Sequence, residues 1–134
     1  MQFVKKVIVF VDAACKRNPG NAAIGILLFD ENGNLLEKFS KKIGKSTNNR
    51  AECFAILKGM EIALKYSRKQ LFVFSDSKLL IKQINGEFRI KNKHLLKLIK
   101  QIKLTELLFE KIKFSFVRKK KNKLAHKLAK KALS

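Results

Sequence analysis

Apolar residues in this chain recur with two different spacings, and the alternation between them sets out the elements. Val7-Ile8-Val9-Phe10-Val11 is an unbroken run of β-branched and aromatic side chains that ends on Asp12. Such side chains suit a pleated surface covered on both faces, so the run predicts a buried strand, placed at Phe3 to Asp12, with Asp12 where the chain leaves the core. Asn18-Pro19-Gly20-Asn21 reads as a turn, and Ala22 to Asp30 as a second strand. Asn32-Gly33 signals a hairpin, with Leu35 to Ile43 returning as the third strand. The period then lengthens. Cys53, Ile56, Leu57, Met60, Ala63 and Leu64 form a helical stripe, capped by Asn48 or Asn49 and running to about Tyr66. Gly59 interrupts that stripe at a cost of about 1 kcal/mol relative to Ala, which predicts a close approach by a neighbouring element.

Beyond it, Leu71 to Ser75 reads as a fourth strand that again ends on an acid, Asp76. Asp76 or Ser77 caps a short helix through Ile84, closed by Asn85-Gly86. Asn92 caps a longer helix whose apolar set is Leu95, Leu96, Leu98, Ile99, Ile102, Leu107 and Leu108. Lys111 to Val117 alternates as a fifth strand, and Asn122 to Leu133 forms a last helix with Leu124, Leu128 and Leu133 towards the body. A meander followed by strand–helix units gives an α/β architecture, one mixed five-stranded sheet with helices on both faces. The helical crossovers imply parallel pairing with right-handed connections. The length suits a single domain, residues 1–134, with its own core.

Charge narrows the choice of partner. Lys and Arg number 31 against 10 acids, for a formal net charge of +21. That excess favours a polyanionic partner, because Lys and Arg displace the counterions of phosphates, although a Lys-favouring composition alone would give the same count. Cys15 and Cys53 lack the CxxC spacing of a zinc motif and form no disulfide framework, so reduced thiols are expected. Nothing at the start resembles a signal peptide, and no apolar run approaches the roughly 20 residues of a membrane helix. A soluble, cytoplasmic protein without membrane attachment or small-molecule cofactor is the expectation, acting as a monomer.

The scarce acids carry the chemistry. Asp12-Ala13-Ala14-Cys15-Lys16-Arg17-Asn18-Pro19-Gly20, Thr47-Asn48-Asn49-Arg50-Ala51-Glu52 and Ser75-Asp76-Ser77 follow one another in an order that resembles the motifs of type 1 ribonuclease H, over almost the whole chain. The resemblance implies the ribonuclease H fold with strand one central, and an endonuclease that cleaves the RNA strand of RNA/DNA hybrids by two-metal-ion hydrolysis, leaving 5′-phosphate and 3′-hydroxyl ends. It implies that Asp12, Glu52 and Asp76 hold two Mg²⁺ or Mn²⁺ ions, hard cations suited to carboxylate oxygens. Taken singly, Asp76 is also an ordinary helix cap and Glu52 an ordinary first-turn acid.

The family's fourth carboxylate is replaced. Asn122-Lys123-Leu124-Ala125-His126 puts His126 at that position. His126 reads as a neutral metal ligand, as a holder of a water on the metal, or as the mark of a site that no longer cuts. Imidazole suits Mn²⁺ better than Mg²⁺, so a Mn²⁺ preference is predicted. The preceding loop, Arg118-Lys119-Lys120-Lys121, lacks the His that many relatives carry there. It offers phosphate contacts, or a solvated basic loop.

For the substrate, the resemblance sets Cys15, Asn18, Asn48 and Asn49 along the hybrid, and Lys45, Thr47 and Asn92 around one phosphate of the DNA strand. Asn18 as a turn residue, and Asn48, Asn49 and Asn92 as helix caps, are equally good readings of the residues alone. The stretch from Ile84 to His94 is too short for the basic protrusion of some relatives, so the basic last two helices would supply the grip. Two alternatives to hybrid cleavage remain: a non-cutting nucleic-acid-binding module on the same fold, and a nuclease that also cuts duplex RNA.

Overall fold

The computed structural model describes residues 4–134. Phe3, the expected start of the first strand, lies outside the described residues. The strands are β1 (Lys6–Cys15), β2 (Gly20–Phe29), β3 (Leu35–Ser46), β4 (Gln70–Ser75) and β5 (Lys111–Phe116), in the order β3-β2-β1-β4-β5. The first three pair antiparallel as a meander, and β4 pairs parallel to both β1 and β5. The mixed five-stranded sheet and the central first strand are as the sequence implies. The helices are α1 (Asn48–Ala63), α2 (Lys78–Ile84), α3 (Lys93–Glu106) and α4 (Lys123–Leu133). α1 packs on β1, β2 and β4 with α3 beside it, and α4 lies across β1, β2 and β3 on the other face.

The core sits between the sheet and α1. Val7, Val9, Val11, Ile24, Ile26 and Leu28 point into it, with Ile56 and Met60 of α1 opposite, all fully buried. Gly59 faces this layer. A Cβ there would lie 2.9 Å from Val9 Cγ1 and 3.3 Å from Val11 Cγ1, which is the close approach its place in the helix predicted.

Several expectations shift. β1 does not stop at Asp12 but runs on to Cys15, because its antiparallel ladder with β2 continues after β4 has left its other edge at Phe10. The second face of β1 is only partly covered by α4, since Ile8 and Phe10 are half-buried. α1 is capped by the Thr47 hydroxyl, which accepts from Arg50 N at 3.2 Å, rather than by Asn48 or Asn49. Ser77, not Asp76, caps α2, and Asn92 caps α3 as expected. Leu107 and Leu108 follow the end of α3 and stay exposed. On α4 one of the three leucines expected to face the body does not: Leu124 is 60% exposed, whereas Leu128 and Leu133 are half-buried and Ala125 and Ala129 are fully buried. The reason is Gly25 on β2, where a Cβ would stand 2.6 Å from Ala129 N and 2.9 Å from Leu128 Cβ. Small residues on both sides let the helix backbone rest on the strand, and Leu124 turns outwards.

Candidate active site

Parallel strands that share a register carry corresponding residues side by side. Phe10 pairs with Phe74, so two residues further along, where the two strands part, Asp12 and Asp76 arrive together. Glu52 comes from the opposite face, on the second turn of α1, and its carboxylate accepts from Ser75 Oγ at 3.4 Å. Oxygens of Asp12, Glu52 and Asp76 lie within 4.8 Å of one another. The three acids predicted to converge do so.

Their environment resists ionisation. Burial, then the charges of Asp12 and Asp76, push the Glu52 carboxyl up to about 8, with Ser75 and Lys119 opposing. Burial and the Asp76 charge likewise raise Asp12, opposed by the Ala13 amide and by His126. Like charges crowded in a desolvated hollow call for a cation among them. An all-oxygen donor set of three carboxylates fits a hard divalent ion such as Mg²⁺ or Mn²⁺.

His126, on the first turns of α4, places Nδ1 2.8 Å from Asp12 Oδ2. Its side chain is half exposed, whereas that of Asp12 is almost wholly buried. The imidazole therefore joins the three carboxylates from the solvent side. Together they line a hollow of about 620 Å³ whose other walls include Asn48, Lys119, Lys120, Lys123 and Lys127. Acids form the floor and lysines the rim, so a concentrated negative charge is ringed by positive charge.

Asn122 is the residue that its sequence context undervalues. It stands at the N-terminus of α4 but makes no capping bond. Instead its buried Nδ2 donates to Val11 O at 2.8 Å and to Asp76 Oδ2 at 3.3 Å, tying α4 to β1 and steadying Asp76. An Asn just before a helix looks like a cap, and only the tertiary contact separates the two roles. Ser75, too, reads in the sequence only as the end of a strand.

The remaining predicted positions fall into two groups. The Asn48 amide donates to Asn18 Oδ1 at 3.0 Å, which joins the loop after β1 to the start of α1. Cys15 and Asn48 line a second hollow that shares His126 with the first. Asn49 is exposed beside them. Lys45 lines a separate basic groove with Lys41, Lys42, Arg50 and Phe54, adjoining Thr47. Thr47 and Asn92 both serve as helix caps, through Thr47 Oγ1 accepting from Arg50 N and Asn92 Oδ1 accepting from Leu95 N.

Residues 10–132 match the sequence family described as reverse transcriptase-like. A bifunctional protein of Mycobacterium tuberculosis is 31% identical over 129 residues, which are 96% of this chain and 35% of that protein. The chain thus spans about a third of the length of its mycobacterial relatives. The crystal structure of ribonuclease H1 from Halobacterium salinarum superposes with a TM-score of 0.93 at 28% identity, covering 96% of this chain and 97% of that one. LC11-RNase H1, solved in complex with an RNA/DNA hybrid, gives a TM-score of 0.89 at 29% identity, covering 95% and 96%.

Proposed function

Because this chain belongs to the type 1 ribonuclease H family, we propose that it is a metal-dependent endonuclease that cuts the RNA strand of RNA/DNA hybrids and leaves 5′-phosphate and 3′-hydroxyl ends. The observation that carries this reading is the convergence of Asp12, Glu52 and Asp76 within 4.8 Å under a rim of lysines. Asp12, Glu52 and Asp76 would hold two Mg²⁺ or Mn²⁺ ions, with His126 as a further ligand beside Asp12. Such ions supply a water acidic enough to attack phosphorus at neutral pH and charge to stabilise the departing oxygen.

The chain's own residues do the rest. Lys119, Lys123 and Lys127 draw the phosphates of the scissile strand over the acids and offset their charge. Asn122 holds Asp76 in position through its amide. Cys15 and Asn48 line the second hollow, with Asn18 bonded to the Asn48 amide and Asn49 next in sequence; these four would contact the hybrid, and amide donors and acceptors suit a 2′-hydroxyl. Lys45, Thr47 and Asn92 would receive the DNA strand. Residues 1–134 act as one ribonuclease H domain, monomeric and cytoplasmic.

A second reading rests on the 2.8 Å contact of His126 with Asp12. An imidazole engaged with the principal carboxylate suits a module that binds hybrids without cutting them. Hydrolysis of a labelled RNA/DNA hybrid, in Mg²⁺ and in Mn²⁺, separates the two. The nuclease reading expects cleavage by the wild type, with Mn²⁺ the better ion. Asp12→Asn lowers the rate by more than about 100-fold, beyond the loss expected of a contact that merely supports a metal ligand. His126→Ala loses rate chiefly in Mn²⁺. Tight binding by the wild type without cleavage in either ion sinks the nuclease and leaves the binding module. Duplex RNA in the same assay reports whether both strands must be RNA and DNA.

A further inference from the structure

The face of the sheet turned away from α1 is half covered. Lys6, Ile8, Phe10 and Asp12 alternate along β1 with the core residues Val7, Val9 and Val11, and so point to that side. Across the ladders Phe10 stands beside Phe74 and Leu27, and Phe72 beside Lys113. α4 covers β1, β2 and β3, and among the described residues no helix is packed over β4 and β5 there. Phe10, Phe29, Phe72 and Phe74 all remain partly exposed.

Three of these rings touch, and Phe72 lies two residues before Phe74 on the same side of β4. Phe10 and Phe74 stack with centroids 5.1 Å apart and planes 18° from parallel, and Phe29 meets Phe10 edge-on at 5.9 Å. The surround is cationic. Lys6 Nζ lies 4.3 Å above the Phe72 ring, and Lys113 is its ladder neighbour. Lys120, Lys121 and Lys123 edge a hollow of about 340 Å³ that ends on Phe10 and Phe29. The one acid that β1 contributes to this side is Asp12, which belongs to the carboxylate cluster.

Flat apolar rings inside a ring of lysines fit a polyanion that also presents flat apolar surface. A duplex hides its base faces and offers phosphates alone, whereas a single strand exposes both. We propose that this open face binds a single-stranded nucleic-acid segment: Lys6 swings off the Phe72 ring to a phosphate, Lys113 holds another, and bases stack on the freed face of Phe72 and on the face of Phe74 turned away from Phe10. Phe10 precedes Asp12 by two residues on the same side of β1, about 7 Å along the strand. A single-stranded tail running out of a hybrid held at the carboxylates therefore comes directly onto this face.

The test uses a fluorescein-labelled oligothymidylate of about 15 nucleotides, near the span of one such platform. Its affinity is read by anisotropy for the wild type, for a Lys6→Glu/Lys113→Glu pair and for a charge-neutral Phe72→Leu/Phe74→Leu pair. Both pairs are expected to lose about tenfold in affinity or more, while cleavage of a blunt-ended hybrid stays at the wild-type rate. An oligonucleotide carrying 5-iodouracil, photocrosslinked to the wild-type protein, is expected to mark the peptide Gln70–Lys78. This second measurement needs no variant to fold. Unchanged affinity in both pairs, or crosslinks confined to the groove of Lys41, Lys45 and Arg50, overturns the proposal and leaves the face to a protein partner. Blunt-hybrid cleavage is scored separately, so an inactive enzyme is told apart from an absent platform.

Discussion

At the scale of single residues, Glu52 couples the site to the stability of the fold. Its carboxyl stands at about 8 in the folded chain against an ordinary 4.5, first through burial and then through Asp12 and Asp76. An acid with a raised folded value takes up a proton on folding. Its favourable contribution is thus complete below about 4.5 and is lost as pH climbs towards 8. Each tenfold difference in proton affinity between the folded and unfolded chains is worth about 1.4 kcal/mol, so the effect is on the order of a few kcal/mol. In chelator, the melting temperature of the wild type should fall across this window, and Glu52→Gln should flatten the fall; parallel curves for the two proteins would refute the assignment. Added Mg²⁺ or Mn²⁺ should stabilise the wild type more than the variant, since an ion replaces the proton. Asn122 makes a different kind of prediction. Asn122→Ala strands the Val11 carbonyl and releases Asp76, which costs about 1–3 kcal/mol for the orphaned buried acceptor. Chemical denaturation reads that loss, and hybrid cleavage should drop with it.

Elements are more legible in the sequence than their seating. The two periodicities locate all five strands and all four main helices, because spacing alone decides which side of an element is apolar. Gly59 announces its contact with Val9 for the same reason: a glycine inside a strong helical stripe needs a neighbour to explain it. The last helix is seated by a residue on another element. Leu124 reads as inward on hydrophobicity, yet Ala125 and Ala129 face the sheet because Gly25, on another element, leaves room for a backbone and not for a leucine. Registers and cross-element contacts are set by such pairings, and one strand's pattern does not contain its partner. The convergence of Asp12 with Asp76 needs that register, and the capping role of Thr47 needs the true first turn of α1. Gly25→Ala tests the seat. A methyl group there overlaps the carbonyl of Ala125, and overpacking of this kind costs about 1–3 kcal/mol. The expected result is a lower melting temperature together with lost cleavage, as α4 lifts and carries His126 off Asp12. A variant of wild-type stability and activity would show that the helix has room to spare.

Across the whole molecule the charge excess is unevenly used. Acids sit on the floor of one hollow, and lysines line its rim, the groove beside β3 and the open face of the sheet. Hybrid affinity should therefore fall steeply with salt, by about 0.9 in the log–log slope for each phosphate neutralised. Lys119→Ala should reduce that slope by about one at the active site; an unchanged slope would remove Lys119 from the phosphate path. The continuation of β1 past β4 has one more consequence. Asp12 is a mid-strand residue, laddered to Gly25 in the central strand of the only sheet among the described residues. Amides in such a strand exchange with solvent through opening of the entire domain rather than through local fraying. The acid at the heart of the site has no private hinge or loop to loosen it. Activity and fold should then be lost in a single transition, with the hydrogens around Asp12 among the last to be replaced by deuterium.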